Sequence, residues 1–444
     1  MRTTFKLRVE RACGGRAMVL EFRRYRDGDE VGIVETMNSA FETFRQWGLT
    51  SDIWLELTRR DYGFRRDLAL VAEEDGKIVG HVQLVLRKLR YGCAVFTTGG
   101  IANVSTRPEH RGRGIATRLM SLAVETCREE GIPISSLWTG FLSPAHHIYR
   151  KLGYVDTFSP YSFGAHFLEV KEALKLLGGN GVEVRELQSA DLDEIRKIYA
   201  LFTEGWIGPG VRDAEYVRNK FTDKQFYHTF FYDEPENFVR LVSVDGGKVT
   251  GYVIAAFGGK LSRRYGDPYA GSVLEAIALD EKSLRCLMHS ALQELLEAGA
   301  KKVWVNAPDI PLYRRLLPEF RKVGGQGTYM DKIIDLPALL EQVKSELERR
   351  LIERGVSVST SIKLAVDSGS AVLKIEDDSI TVSREGSSPS YISLSDRNFL
   401  KMFYGVESFE ELLQRRAVRS LKLASGMELE ILSTLFPKNL FYVW

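Results

Sequence analysis

The residues Arg111-Gly112-Arg113-Gly114-Ile115-Ala116 carry the clearest chemical signal in the chain. They follow a β-type run ending ANVST, at residues 102–106, and open onto a helical pattern over residues 115–130. Glycine lets the backbone turn sharply and brings its N–H groups close to a ligand. The first amides of a helix lack intrahelical partners and carry partial positive charge. With two arginines added, the order strand, loop, helix predicts a pyrophosphate cradle. The competing reading is a solvated basic turn. Neither Gly-x-x-x-x-Gly-Lys-Ser/Thr nor Gly-x-Gly-x-x-Gly occurs in this stretch, so it is neither a phosphate-binding P-loop nor a dinucleotide fingerprint.

Tyr149, in HIYRKLGY, is the second candidate. A phenol of reference pKa about 10 keeps its proton at neutral pH and can give it to a leaving group. Its competing role is that of a core aromatic, and the nearby Tyr154 reads as a packing residue. His146 and His147 are candidate bases, because histidine titrates near neutrality. Adjacent residues on a helix point different ways, so only one of them can face a common site. They lack the i, i+4 spacing of a zinc pair, and no metal is expected.

Arg-x-x-Gly-x-Ala, from Arg111 through Gly114 to Ala116 after ANVST, resembles the acetyl-CoA motif of GNAT N-acetyltransferases. The resemblance spans residues 19–165. It implies acetyl-CoA as co-substrate and a motif strand that splays from its neighbour. It implies that Val104, Ser105 and Thr106 bond the pantetheine arm and the thioester carbonyl. The amides of Arg111, Gly112, Arg113, Gly114, Ile115 and Ala116 would hold the pyrophosphate. Acetyl transfer to an amine needs a neutral nucleophile, stabilisation of the oxyanion and a proton for the leaving thiolate. Tyr149 resembles the family's general acid.

Nearly the whole chain resembles the Eis (enhanced intracellular survival) family. That resemblance implies a mixed α/β fold: a catalytic GNAT domain, a degenerate second copy and a C-terminal module similar to sterol carrier protein. In that family the chain-terminal carboxylate serves as base, a role that would fall to Trp444. The tail FPKNLFYVW is apolar and contains no Asp or Glu, so it reads as buried. Burial raises a carboxyl pKa and makes it a better base. The resemblance also implies a homo-oligomer, on the pattern of a hexamer.

The elements that must position these groups are legible along the chain. Residues 19–26 alternate like a strand, and Asp27 or Asp29 reads as a helix N-cap before Val31, Val34, Phe41 and Phe44. Helical stretches follow around Trp47, Trp54 and Phe64. LALVAEEDGKIVGHVQLVLRKLRY reads as two strands joined by an acidic Gly turn. ISSLWTG is a strand, followed by a short helix through Tyr149 and a strand after Tyr154. A weaker copy begins near Gly181: LVSVDGGKVTGYVIAAF mirrors LVAEEDGKIVGHVQLVL, and LYRRLLPEF echoes IYRKLGY. The copy lacks the Arg-x-x-Gly-x-Ala loop, and Asp280 and Glu281 stand where phosphate would need cations. From Asp331 a charged helix, Leu336 to Arg354, precedes consecutive strands and two short capped helices. The expected units are an extension (1–18), a catalytic domain (19–165), a degenerate copy (181–330) and a C-terminal domain (331–444).

Of 444 residues, 44% are hydrophobic and 27% charged, which excludes wholesale disorder. With 61 Lys+Arg against 59 Asp+Glu, the net charge of +2 argues against a nucleic-acid binder. Four scattered cysteines without a Cys-x-x-Cys pair suit a reducing cytoplasm. No membrane span or signal peptide is expected. The acceptor is read as an amine, on a small molecule or a protein lysine. Asp52, Glu56 and Asp61 read either as cation holders or as a solvated face. Because the last nine residues contain no Asp or Glu, a less polycationic amine stands at least level with an aminoglycoside as acceptor. The alternative to an enzyme is a non-catalytic acyl-CoA sensor or lipid carrier using the C-terminal module. KIEDDSITVSREGSSPS is too polar to line an apolar tunnel.

Overall fold

The computed structural model describes residues 7–13, 16–61, 63–158, 163–178, 181–222, 237–258, 267–308, 310–316 and 327–439. They form a mixed α/β fold built on three sheets. The first sheet holds β1 (Leu7–Cys13), β2 (Arg16–Arg24), β3 (Ala69–Glu74), β4 (Lys77–Tyr91), β5 (Ala94–Thr106), β6 (Ile134–Gly140) and β7 (Val155–Phe158). Strand β2 starts at Arg16, earlier than the alternation from residue 19 suggests, and β1 pairs along it as the sheet edge. Residues 7–13, expected as part of an extension, thus belong to this sheet.

Helices α1 (Asp29–Ala40), α2 (Glu42–Trp47) and α3 (Ser51–Arg60) cover one face of the first sheet. The N-cap of α1 is Gly28, not Asp27 or Asp29. Asp29 lies in the first turn, where its carboxylate accepts from the Arg26 amide at 2.7 Å and from Arg23. Phe64 lies beyond α3 in a loop, buried edge-on against Trp54. Helix α4 (Ile115–Glu129) covers the other face, with Ile115, Leu119, Met120 and Ala123 packed on Leu70, Ala72 and Val82. It is the crossover between the parallel strands β5 and β6.

The second sheet contains β8 (Phe163–Glu169), β9 (Glu183–Glu186), β11 (Asn237–Asp245), β12 (Lys248–Phe257), β13 (Ala270–Ala278) and β14 (Lys302–Pro308), in the order β8-β14-β13-β12-β11-β9. Two strands trade places between the sheets. β8, which follows β7 in sequence, runs antiparallel to β14 along its whole length. β15 (Gly327–Ile333), from the far end of the second copy, inserts between β6 and β7 of the first sheet. β10 (Ile207–Gly210) also joins the first sheet, against β4.

The third sheet, β16 (Val358–Val366), β17 (Gly369–Asp377), β18 (Ser379–Ser383), β19 (Ser390–Ser393) and β20 (Ser420–Lys422), packs with helix Leu336–Arg354. This core includes Tyr91, Phe96 and Ile134, so the third region closes on the β4–β5 hairpin. Buried Glu346 accepts from the Cys93 amide at 3.0 Å and pairs with Arg350. Among the described residues no helix is long and apolar enough to cross a membrane.

Candidate active site

Strands β5 and β6 pair only at Thr98↔Ile134, Gly99↔Ser135 and Gly100↔Ser136, although β5 continues to Thr106 and β6 to Gly140. Beyond Gly100 the two strands part. The register between β5 and β4 breaks just beyond, between Ala102 and Ser105 opposite Gln83 and His81, and Asn103 there has φ of 57°. The bulge turns the strand and leaves one backbone edge without a ladder partner. Val104, Ser105 and Thr106 lie on that open edge. The Ser105 and Thr106 hydroxyls are buried and have no hydrogen-bond partner among the described residues.

The loop after β5 reaches α4 through Gly112 and Gly114, with φ of 75° and 79°. A Cβ at either would meet nothing within 4 Å, so backbone conformation rather than crowding calls for glycine. Gly114 caps α4, and no side chain bonds the helix end. The amides of Ile115 and Ala116 are therefore among the unpaired N–H groups of the first turn. Arg111 is exposed, its Nε reaching the Thr106 carbonyl at 3.4 Å. The Arg113 side chain departs from expectation. Its guanidinium is held by both oxygens of Glu74, Nη1 donating to Oε2 at 3.0 Å. His110 Nε2 lies 3.1 Å from the same carboxylate. The Arg113 hydrogen bonds hold the Glu74 carboxyl below its usual pKa. The Arg113 charge is thus neutralised within the chain.

Helix α5 (Pro144–Lys151) is capped by Ser143, whose hydroxyl accepts from the His146 amide at 3.1 Å. It carries Tyr149 inward, 6% exposed, with its ring centroid 6.1 Å from that of Tyr154. Burial alone pushes the Tyr149 hydroxyl up to about 12, so it is protonated at neutral pH. Tyr154 is committed elsewhere, its hydroxyl 2.7 Å from Ser135 Oγ. The two histidines diverge: buried His146 lies 2.8 Å from Asp156 Oδ1 through Nε2, and His147 is exposed. Trp444 and the Trp47 side chain lie outside the described residues.

The second copy keeps the opened strand and fills it. β13 pairs with β14 only from Ala270 to Val273, although it runs to Ala278. The Asp280 carboxylate caps helix Glu281–Glu297, accepting from the Ser283 amide at 2.8 Å. Tyr313, the counterpart of Tyr149, donates its hydroxyl hydrogen to the Ala276 carbonyl on the opened strand.

Sequence reasoning passed over Glu74 and His81. Glu74 reads as an ordinary strand-end acid. His81 breaks the apolar run KIVGHVQLV, which is the one signal that singles it out. Of the acidic candidates, Glu56 is bonded by Arg59 and Arg60, Asp61 by Arg87, and Asp52 is exposed.

Residues 21–155 match the acetyltransferase (GNAT) domain. No curated protein matches the chain. A GCN5-related N-acetyltransferase from Kribbella flavida is similar in structure over 96% of this chain and 97% of its own, with a TM-score of 0.65 and 18% identity. A probable N-acyltransferase from Enterococcus faecalis is similar over 95% and 97%, with a TM-score of 0.70 and 14% identity. Eis1 from Mycobacterium abscessus is similar over 96% and 99%, with a TM-score of 0.58 and 15% identity. At these identities the likeness is one of fold. It extends past the GNAT domain through the second and third regions.

Proposed function

We propose that the chain is an N-acetyltransferase whose GNAT domain transfers an acetyl group from acetyl-CoA to a primary amine. One contrast carries the reading. The first copy leaves open both the parted strand edge and the uncapped helix end, whereas the second fills both with Tyr313 and Asp280. The thioester supplies the activated acyl carbon. The β5 edge from Val104 to Thr106 then orients the acyl arm, and the amides from Arg111 to Ala116, with the Arg111 side chain, receive the diphosphate. Tyr149, protonated and without a bonded partner among the described residues, gives its hydrogen to the departing sulfur. Direct attack in a ternary complex is the route that the GNAT resemblance implies. The base is assigned to the Trp444 carboxylate on family resemblance alone.

The second copy is read as structural, and the third region as a sterol-carrier-like α+β support. A cytoplasmic homo-oligomer belongs to the same reading. Thiol release from acetyl-CoA, measured against a panel of amines, tests the activity. Acetyl-CoA binding without thiol release for any amine would favour a sensor instead.

A further inference from the structure

Behind the parted strand, on the face covered by α1–α3, four side chains are buried to 2% exposure or less and each leaves a polar atom unpaired. They are Trp54 Nε1, His81 Nε2, Gln83 Oε1 and Ser105 Oγ. His81 and Gln83 stand two apart on β4 and so share a face. His81 lies directly opposite Ser105 in the antiparallel register. The Trp54 ring meets the His81 ring edge-on, with centroids 6.4 Å apart. Native structures pair nearly all buried polar groups, so four orphans on one face point to a missing partner.

The chemistry of the four atoms is definite. His81 Nδ1 lies 3.2 Å from the Leu70 carbonyl, which can only accept. Nδ1 therefore carries the hydrogen and Nε2 presents a lone pair. Burial lowers the His81 pKa to about 4, so the ring stays neutral. Gln83 Nε2 donates to the carbonyls of Arg65 and Leu84, at 3.0 and 2.9 Å, which leaves Oε1 as an acceptor. Two acceptors, one hydroxyl and one indole N–H match an amino group, which offers hydrogens and a lone pair at one nitrogen. The surroundings are apolar: Phe44, Leu49, Phe64 and Val85 share this core. The carboxylates that a polycation would need are engaged, Glu56 by Arg59 and Arg60, Asp61 by Arg87, and Glu30 by the Tyr25 hydroxyl.

We propose that Trp54, His81, Gln83 and Ser105 form the amine subsite, and that it takes a monoamine with an apolar body rather than a polycationic amine. This rests on the acetyltransferase reading. In the bound state His81 and Gln83 accept hydrogens from the nitrogen and its lone pair accepts from the Trp54 N–H, a bond given up when the lone pair turns to the opened β5 edge to attack.

The test measures thiol release from acetyl-CoA with phenethylamine, spermidine and kanamycin, together with calorimetric acetyl-CoA binding. Phenethylamine should give the highest kcat/KM. Trp54→Phe removes one N–H and keeps the aromatic packing. It should raise the KM for phenethylamine about threefold to tenfold, the loss of one hydrogen bond, and leave acetyl-CoA affinity unchanged. His81→Leu should raise KM further, and His81→Gln, which restores an acceptor, should recover part of it. If His81 variants do not fold, Trp54→Phe decides alone. An unchanged KM in Trp54→Phe with only a lower Tm would mean a buried water fills the cluster, and would overturn the subsite. Preference for spermidine or kanamycin would overturn it too, with the acetyltransferase reading intact. Absence of both acetyl-CoA binding and thiol release would end the parent reading and the subsite with it.

Discussion

Arg113 is turned back onto Glu74, so its guanidinium neutralises a buried carboxylate of the chain itself. On the function proposed above, the loop would hold the diphosphate through its amides and Arg111. Arg113→Ala should leave acetyl-CoA affinity within about twofold. It should cost on the order of 1–3 kcal/mol of stability, because Glu74 loses its main partner. Gly114→Glu sets a side chain and a negative charge at the amides, and should weaken binding at least about tenfold. Calorimetry and urea unfolding on the two variants separate these effects. A tenfold loss in Arg113→Ala would return the guanidinium to the phosphate.

Tyr149 and Tyr313 stand at matching points of the sequence echo IYRKLGY and LYRRLLPEF and should respond in opposite ways to the same change. Tyr149→Phe should keep acetyl-CoA binding and lower turnover by about 10²–10⁴, the usual range for a general acid. Tyr313→Phe strands the Ala276 carbonyl in a buried setting and should cost about 1–3 kcal/mol, with turnover per folded molecule unchanged. Near-normal turnover in Tyr149→Phe, with chemistry rate-limiting, would make that residue a packing aromatic.

In the second copy Glu275 holds two buried cations, Arg212 at 2.7 Å and Lys220 at 2.9 Å. Glu275→Gln should destabilise by about 3–5 kcal/mol, because both cations then lack their carboxylate. Denaturant midpoints report the loss. A variant as stable as the parent would mean that another anion serves the cluster.

Asp331, on the inserted strand β15, bonds Ser136 at 2.5 Å and also Thr157 and Tyr404. Burial pushes its carboxyl up to about 6, against the hydrogen bonds that hold it down. The folded chain therefore binds this proton more tightly than the unfolded chain. The stability it lends is fully present below about pH 4 and is lost as pH rises through about 6. The change amounts to on the order of 2–3 kcal/mol. Urea unfolding across this range should show the fall in the parent and not in Asp331→Asn. Parallel profiles would dismiss it.

Much of the first copy was legible because local signals and tertiary use agree there. Gly112 and Gly114 stand where positive φ is needed, and the apolar spacing after Ile115 gives α4. Ser395 and Ser408 cap the two short helices that follow them. What stayed hidden depends on distant partners. Residues 327–333 are not read as a strand from the sequence, and nothing local to them says that they insert between β6 and β7. The Arg113–Glu74 pair joins residues 39 positions apart. The unpaired atoms of Trp54, His81 and Gln83 become visible only when the neighbours that fail to reach them are in place.

The exchange of β8 for β15 has a consequence during synthesis. As the chain leaves the ribosome, β6 and β7 emerge long before the strand that separates them. The first sheet stays unfinished until Ile333 is out, and the nascent chain meanwhile carries two strand edges in need of cover. A fragment cut at the apparent domain border near residue 165 would keep every residue assigned to acetyl-CoA and yet lack the β15 strand that completes its sheet.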